Sequence, residues 1–142
     1  MPVSKKNKIR VVVADDSALV RRRVIALLKG LEDAEVVGQA EDGPAAIETV
    51  RALKPDVVIL DLRMPGSSGL EVLRTIGKEP SAPKVIILTN YPFLQYRRKC
   101  LEAGASYFFD KSADFDKIHE AIGRVSAEKS RSLKRIECIP GD

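Results

Sequence analysis

Short runs of aliphatic residues alternate with segments of helical periodicity along most of this 142-residue chain. The runs IRVVVA, VVIL and KVIIL are apolar at consecutive positions, which is typical of strands buried on both faces. Between these runs, apolar residues recur every three or four positions, as expected for amphipathic helices. Such strands require helices on both sides of a parallel sheet. The alternation therefore predicts a doubly wound α/β fold with right-handed crossovers.

The alternation divides the chain into five β–α units. The predicted strands are residues 9–14, 34–40, 57–60, 84–88 and 106–109, and the predicted helices are residues 17–31, 44–53, 70–76, 93–103 and 115–126. Residues 63–69 carry a proline and two glycines and are predicted to form a loop. These elements predict one domain over residues 8–126, with basic and flexible tails at 1–7 and 127–142.

Composition and charge argue against several classes of protein. No apolar run approaches the roughly 20 residues needed to cross a bilayer, and no signal-peptide core follows the basic start. We therefore expect a cytoplasmic protein without membrane contact. The net charge of +4 comes largely from the two ends of the chain. Because no recognition-helix pattern accompanies this charge, nucleic-acid binding is not expected.

Polar residues follow the predicted strands where parallel strands place their carboxyl ends at one edge of the sheet. These residues are Asp15 and Asp16 after the first strand, Asp61 after the third, Thr89 after the fourth, and Asp110 and Lys111 after the fifth. Crowded carboxylates favour a hard divalent cation such as Mg²⁺, and hydroxyl and ammonium groups can hold phosphate oxygens. The set predicts phosphoryl transfer to a carboxylate. Taken singly, each residue could instead be a structural cap, as Asp16 or Ser17 would be for the first helix.

The same residues resemble those of the receiver domain of bacterial two-component response regulators. The matching segments are Asp15-Asp16, VVILDLRMPGSSG at 57–69, ILT at 87–89 and AGASYFFDKS at 103–112. The resemblance covers roughly residues 8–125, nearly the whole chain. It implies a flavodoxin-like five-stranded parallel sheet of order 2-1-3-4-5, with helices on both faces, in a CheY-like domain that stands alone.

The resemblance also implies a role for each site residue. Asp61 would accept the phosphoryl group. Asp16, Asp61 and the backbone carbonyl of Arg63 would bind Mg²⁺ directly, and Asp15 would do so through a water molecule. Lys111 and Thr89 would contact the phosphoryl group, and Thr89 and Phe108 would form the switch pair. Pro65 and Gly69 match the residues that shape the loop beside the acceptor.

The family's function implies partners. A histidine kinase or phosphotransfer protein would supply the phosphoryl group while docked near the first helix. The domain would catalyse only its own phosphorylation and dephosphorylation. Output would pass through the face formed by the fourth helix, fifth strand and fifth helix, to an unknown protein target or to a second copy in a homodimer. Too few residues follow the last predicted helix for a helix-turn-helix unit, so protein contact is the expected output.

The sequence departs from the commonest receiver pattern at three positions. Ser112 stands where many receivers have proline, Asn90 where Ala or Gly is usual, and Phe108 where Tyr is usual. Arg63 and Tyr91 occupy two positions that, in the family, flank the path of the attacking water. Here these positions hold a long cation and an aromatic ring. We expect these two side chains to slow hydrolysis of the phosphoryl group.

Three alternatives remain open from the sequence. A phosphatase-like hydrolase also uses a nucleophilic Asp with Mg²⁺, but it typically has a second Asp two residues later, where this chain has Arg63. An inert module of receiver shape usually lacks an acceptor or metal Asp, and none is lost here. The chain could also be a fragment of a longer regulator with a DNA-binding domain.

Overall fold

Parallel strands and helices alternate through the computed structural model, which describes residues 8–137. The strands are β1 (Ile9–Ala14), β2 (Ala34–Ala40), β3 (Val57–Leu60), β4 (Arg63–Met64), β5 (Ser67–Ser68), β6 (Lys84–Thr89) and β7 (Tyr107–Asp110). The helices are α1 (Ala18–Lys29), α2 (Gly43–Leu53), α3 (Gly69–Ile76), α4 (Leu94–Glu102) and α5 (Lys117–Glu137). Within these residues, no helix combines the length and hydropathy that a membrane span requires.

Five of the strands form one parallel sheet in the order β2-β1-β3-β6-β7. The first strand lies inside the sheet, between β2 and β3. Since β6 and β7 are the fourth and fifth strands of this sheet along the chain, the predicted order 2-1-3-4-5 is confirmed. The sheet reverses its winding between β1 and β3, and doubly wound folds place their sites at the carboxyl ends of strands around such a point.

Each inner strand is buried on both faces because alternate residues enter two separate cores. On one face, residues such as Val12, Val58 and Ile87 pack against α2, α3 and α4. On the other face, residues such as Val11 and Ile86 pack against α1 and α5. A fully buried aliphatic side chain contributes about 1.5–3 kcal/mol relative to an exposed one. This two-sided burial explains why the strands are apolar at consecutive positions.

The helix starts follow local capping chemistry. The Ser17 hydroxyl accepts a hydrogen bond from the Val20 N–H at 3.2 Å, so the residue predicted to begin α1 is its N-cap. At α3, Ser68 and Glu71 form a capping box, in which each side chain binds the other residue's backbone N–H. The cap fixes where the chain turns from the loop after β3 into α3, close to the predicted acceptor.

The last helix is longer than predicted. The sequence pattern predicts that this helix ends at residue 126, whereas α5 runs to Glu137. The residues after 126 are mostly helix formers, and the Lys129 ammonium donates at 3.1 Å both to the Lys8 carbonyl oxygen and to an Asp56 carboxylate oxygen. Residue 126, the predicted end of the domain, therefore lies inside a helix whose Lys129 contacts the residues directly before β1 and β3. The predicted tail residues 1–7 and 138–142 lie outside the described part of the chain.

The predicted loop at 63–69 contains a small hairpin. Strands β4 and β5 pair antiparallel across it, and Gly66 occupies the left-handed region with φ of 84°. Glycine adopts this conformation without the steric cost that a Cβ would impose. The hairpin returns the chain to Gly69 directly beside the end of β3, which brings α3 next to the site.

Candidate functional site

Three carboxylates meet at the carboxyl end of the sheet. Asp15 and Asp16 follow β1, and Asp61 follows the neighbouring strand β3. One carboxylate oxygen from each lies within 4.8 Å of the others. Asp15 and Asp61 are buried, at 2% and 6% exposure, and Asp16 is exposed. All three predicted metal-binding side chains are therefore brought together, with one side open to solvent.

The Lys111 ammonium lies between the two buried carboxylates. Its Nζ is 2.8 Å from an Asp15 oxygen and 3.3 Å from an Asp61 oxygen. Burial and the nearby Asp15 charge raise the pKa of Asp61, although Lys111 partly offsets them. Burial opposes the charge of Lys111, but its hydrogen bond to Asp15 and the two carboxylate charges outweigh that effect and raise its pKa. One ammonium therefore does not fully compensate the cluster, and a further cation would relieve it.

The loop that carries Lys111 is held by Asp110. The Ser112 backbone N–H donates to an Asp110 carboxylate oxygen at 2.8 Å, and the Asp110 N–H donates to Asp114 at 3.0 Å. Proline has no N–H and could not make the first of these bonds. The departure at Ser112 thus has a local structural role, since it fixes the turn from which Lys111 reaches the carboxylates.

Thr89 and Phe108 lie on the two strands beyond β3. Thr89 is fully buried at the end of β6, and its hydroxyl oxygen accepts a hydrogen bond from the Tyr91 N–H at 3.0 Å. Phe108 is on β7 at 5% exposure, in the same core as Cys100 of α4. Its ring therefore already occupies the interior in this structure. Asn90 is exposed next to Thr89.

Arg63 and Tyr91 stack at the rim of the site. The Arg63 guanidinium carbon lies 4.5 Å from the centroid of the Tyr91 ring. Interaction with Tyr91 raises the pKa of Arg63, so this side chain stays charged. The Arg63 backbone N–H donates to an Asp61 oxygen at 3.4 Å, which places this residue's backbone beside the acceptor. The sequence singles out both side chains, but their contact joins β4 to the loop after β6 and has no local sequence signal.

Arg21, Ser17 and Gly69 also support the site, and of these only Arg21 has no part in the sequence prediction. The Arg21 guanidinium donates to the Asp15 carbonyl oxygen at 2.6 Å, and the Ser17 N–H donates to the Asp15 carboxylate at 2.9 Å. Gly69 packs so closely that a Cβ there would overlap the Asp61 carbonyl oxygen. The glycine was singled out from the family pattern, whereas Arg21 is one of three consecutive arginines that the sequence alone does not distinguish.

Comparison with known proteins agrees with this geometry. A family model described as the response regulator receiver domain matches residues 11–123. The response regulator GacA of Pseudomonas aeruginosa is 36% identical over 119 residues, which cover 84% of this chain and 56% of that protein. The chain therefore belongs to the receiver-domain family of response regulators, and the resemblance identified from the sequence is confirmed.

Two other matches show the range of proteins that carry this domain. Protein-glutamate methylesterase/protein-glutamine glutaminase 5 of Myxococcus xanthus is 48% identical over 123 residues, covering 84% of this chain and 35% of that protein. The response regulator domain of Thermotoga maritima CheB has a TM-score of 0.79 and 30% identity, over 84% of this chain and 97% of that domain. The chain spans about half the length of GacA and about a third of the length of the Myxococcus xanthus protein.

Proposed function

We propose that Asp61 accepts a phosphoryl group from a phosphohistidine of a histidine kinase or phosphotransfer protein, with Mg²⁺ bound beside it. The observation that carries this proposal is the Lys111 ammonium between the buried carboxylates of Asp15 and Asp61. A buried carboxylate beside an ammonium and an open acidic cluster is suited to receive a phosphoryl group, because donors for its oxygens are already in place.

The donor set fits Mg²⁺. Asp15, Asp16 and Asp61 offer only oxygen ligands. Burial and then the Asp15 charge raise the pKa of Asp61, so a bound cation would favour its charged form. Asp16, Asp61 and the Arg63 carbonyl would bind the ion directly, and Asp15 would bind it through water. When bound, the ion would neutralise charge on the transferring phosphoryl group and orient its oxygens.

The chain's own groups account for the transfer. An Asp61 carboxylate oxygen attacks phosphorus, a P–O bond forms, and the P–N bond to the donor histidine breaks as the imidazole leaves. The Lys111 ammonium, now 3.3 Å from Asp61, moves its hydrogen bond to a phosphoryl oxygen. Residue Arg63 occupies the position where phosphatase-like hydrolases typically carry a general acid. An arginine there favours a stable phosphoacceptor over an enzyme that turns over a separate substrate.

The switch rests on Thr89. Its hydroxyl oxygen now accepts from Tyr91 and has a proton free to donate to a phosphoryl oxygen. Movement of Thr89 toward Asp61 would leave space that the Phe108 ring fills, which would stabilise its buried position. The phosphoryl group would thereby select one of two arrangements of the α4–β7–α5 face. This is the face through which the family resemblance implies output. The target is a protein or a second copy of this domain.

Arg63 and Tyr91 set the lifetime of the phosphoryl group in this proposal. The two side chains stack at the rim of the site, where they would restrict the approach of water to the acyl phosphate. Dephosphorylation of Arg63→Ala combined with Tyr91→Ala should be faster than that of the wild type, measured by decay of the phosphorylated band after donor removal. Arg98→Ala, an exposed change on α4, is the control. An unchanged rate in the double variant would refute this role.

The acceptor and the metal are tested together by mobility on a phosphate-affinity gel after incubation with acetyl phosphate. Wild type should shift only with Mg²⁺, and Asp61→Asn should not shift. Asp33→Asn, an exposed turn residue beside the start of β1 and so at the opposite end of the sheet from the site, is the control and should shift like wild type. Labelling of Asp61→Asn would place the acceptor elsewhere. A wild type that neither shifts nor binds beryllofluoride would indicate an inert module.

A further inference from the structure

A cavity lies beside the proposed phosphorylation site, between α3 and α4. Its volume is about 200 Å³, and its lining residues are Leu62, Arg63, Ser68, Leu70, Tyr96, Lys99 and Cys100. This is below the roughly 300–1,000 Å³ typical of sites for drug-sized ligands, so it suits a compound of one or two rings. Four of the lining side chains are apolar or aromatic, and the charged ones are both cationic.

The floor of this cavity is uncharged. Cys100 is buried at 1% exposure, and burial raises the pKa of its thiol, so it remains a neutral apolar surface. Two acidic residues adjoin the lining residues in sequence, and both are already engaged: Glu71 in the capping box with Ser68, and Asp61 with the Lys111 ammonium. The rim therefore presents the positive charges of Arg63 and Lys99 above an apolar floor.

We propose that this cleft binds a small aromatic carboxylate or sulfonate. The ring would pack against Leu70 and Tyr96, and the acidic group would accept hydrogen bonds from Arg63 and Lys99. Arg63 now stacks on Tyr91 in an exposed cation–π contact. Charge-assisted hydrogen bonds to a carboxylate are stronger than an exposed cation–π contact, so the ligand would draw the guanidinium away from Tyr91.

This binding does not depend on the phosphorylation chemistry. Its regulatory consequence does rest on the proposed function, because Arg63 would then leave the rim of the acceptor site. Coupling between two sites is reciprocal, so a ligand that moves Arg63 would change the phosphoryl lifetime, and phosphorylation would change the affinity of the cleft. Failure of the binding experiment would leave the assignment of Asp61 unaffected.

The probe is 2-naphthoate, titrated into the whole ¹⁵N-labelled chain and followed by amide and arginine side-chain resonances. We expect saturable shifts at Leu70 and Cys100, with the Arg63 Nε–H resonance moving in parallel. Lys99→Glu should weaken binding by about tenfold or more, since it replaces a charge-assisted bond with repulsion. Arg98→Glu makes the same charge change at the neighbouring exposed position, which does not line the cleft, and should bind within about twofold of wild type.

Neutral 2-naphthamide should bind at least about tenfold more weakly than 2-naphthoate, because it lacks the charge that Arg63 and Lys99 recognise. Three results would overturn the proposal: equal weakening by Lys99→Glu and Arg98→Glu, equal binding of acid and amide, or shifts that do not saturate. Shifts of the cleft residues that follow protein concentration without the probe would assign the cleft to a second copy of the chain and would also overturn it.

Discussion

The contacts of Lys129 with Lys8 and Asp56, which directly precede β1 and β3, predict that residues beyond 126 stabilise the domain. Lys129→Met keeps the length and helix propensity of the side chain but removes its ammonium. Two bonds are lost, one to the Lys8 carbonyl oxygen and one to the Asp56 carboxylate, each 3.1 Å long. Asp56 keeps a hydrogen bond from the Arg10 N–H, so it is not left without a partner.

The size of the effect follows from partial burial. The side chains of Lys129 and Asp56 are 28% and 31% exposed, between the surface and interior cases. Surface ion pairs contribute about 0–1 kcal/mol, and hydrogen bonds to charged groups contribute about 1.5–3 kcal/mol. We therefore expect Lys129→Met to lower the free energy of unfolding by about 1–2 kcal/mol, which corresponds to roughly 3–10 °C in melting temperature for a domain of this size.

The assay is urea unfolding followed by circular dichroism, with Lys84→Met as the matched control. Lys84, on β6, pairs at 3.4 Å with Glu128, which is on α5 like Lys129. Both side chains of this pair are about half exposed, at 48% and 50%. This control should cost less than about 0.5 kcal/mol. Equal losses in the two variants would refute the reasoning, as would a Lys129→Met variant that unfolds like wild type.

Three further predictions concern the site and the loop beside it. Gly69→Ala should lower the free energy of unfolding by about 3 kcal/mol because its Cβ meets the Asp61 backbone, whereas Gly123→Ala, with no atom within 4 Å, should be neutral or stabilising; chemical denaturation of both tests this. At about 100 times its dissociation constant, Mg²⁺ should raise the stability of wild type by about 2.7 kcal/mol, and Asp61→Asn should lose most of this gain in thermal melts; an equal gain in both would exclude Asp61 as a ligand. The Asp110 N–H lowers the pKa of Asp114 from 3.8, so the stability from its charge is present above pH 3.8 and is lost as pH falls through the depressed pKa; Asp114→Asn should be destabilised at pH 6, and the difference should vanish in acid.

The sheet order and the convergence of the acidic residues follow from sequence because both depend on short-range patterns. Consecutive apolar residues identify inner strands, and parallel strands bring the residues after them to one edge. Asp15, Asp61 and Lys111 are far apart in the chain, yet each directly follows its strand, so counting from strand ends was sufficient to group them.

Other features could not be predicted because they depend on contacts between distant segments. The stacking of Arg63 on Tyr91 joins β4 to the loop after β6, and the reach of Arg21 to the Asp15 carbonyl depends on the angle at which α1 leaves the sheet. The length of α5 is a different case. Its helix-forming residues are present in the sequence, but their basic charge is equally typical of a flexible tail. The bond from Lys129 to Asp56 that favours the helix depends on the three-dimensional fold.

The pairing of the Lys111 ammonium with the buried carboxylates of Asp15 and Asp61 also fixes the charge balance of the site. Three carboxylates and one ammonium leave two net negative charges, which one divalent cation neutralises and a monovalent cation does not. A phosphoryl group on Asp61 would replace one negative charge with about 1.5 to 2. The phosphorylated site would again carry excess negative charge and would attract hydrogen-bond donors from neighbouring strands. The inward direction proposed for Thr89 therefore follows from the charge count of the unphosphorylated site.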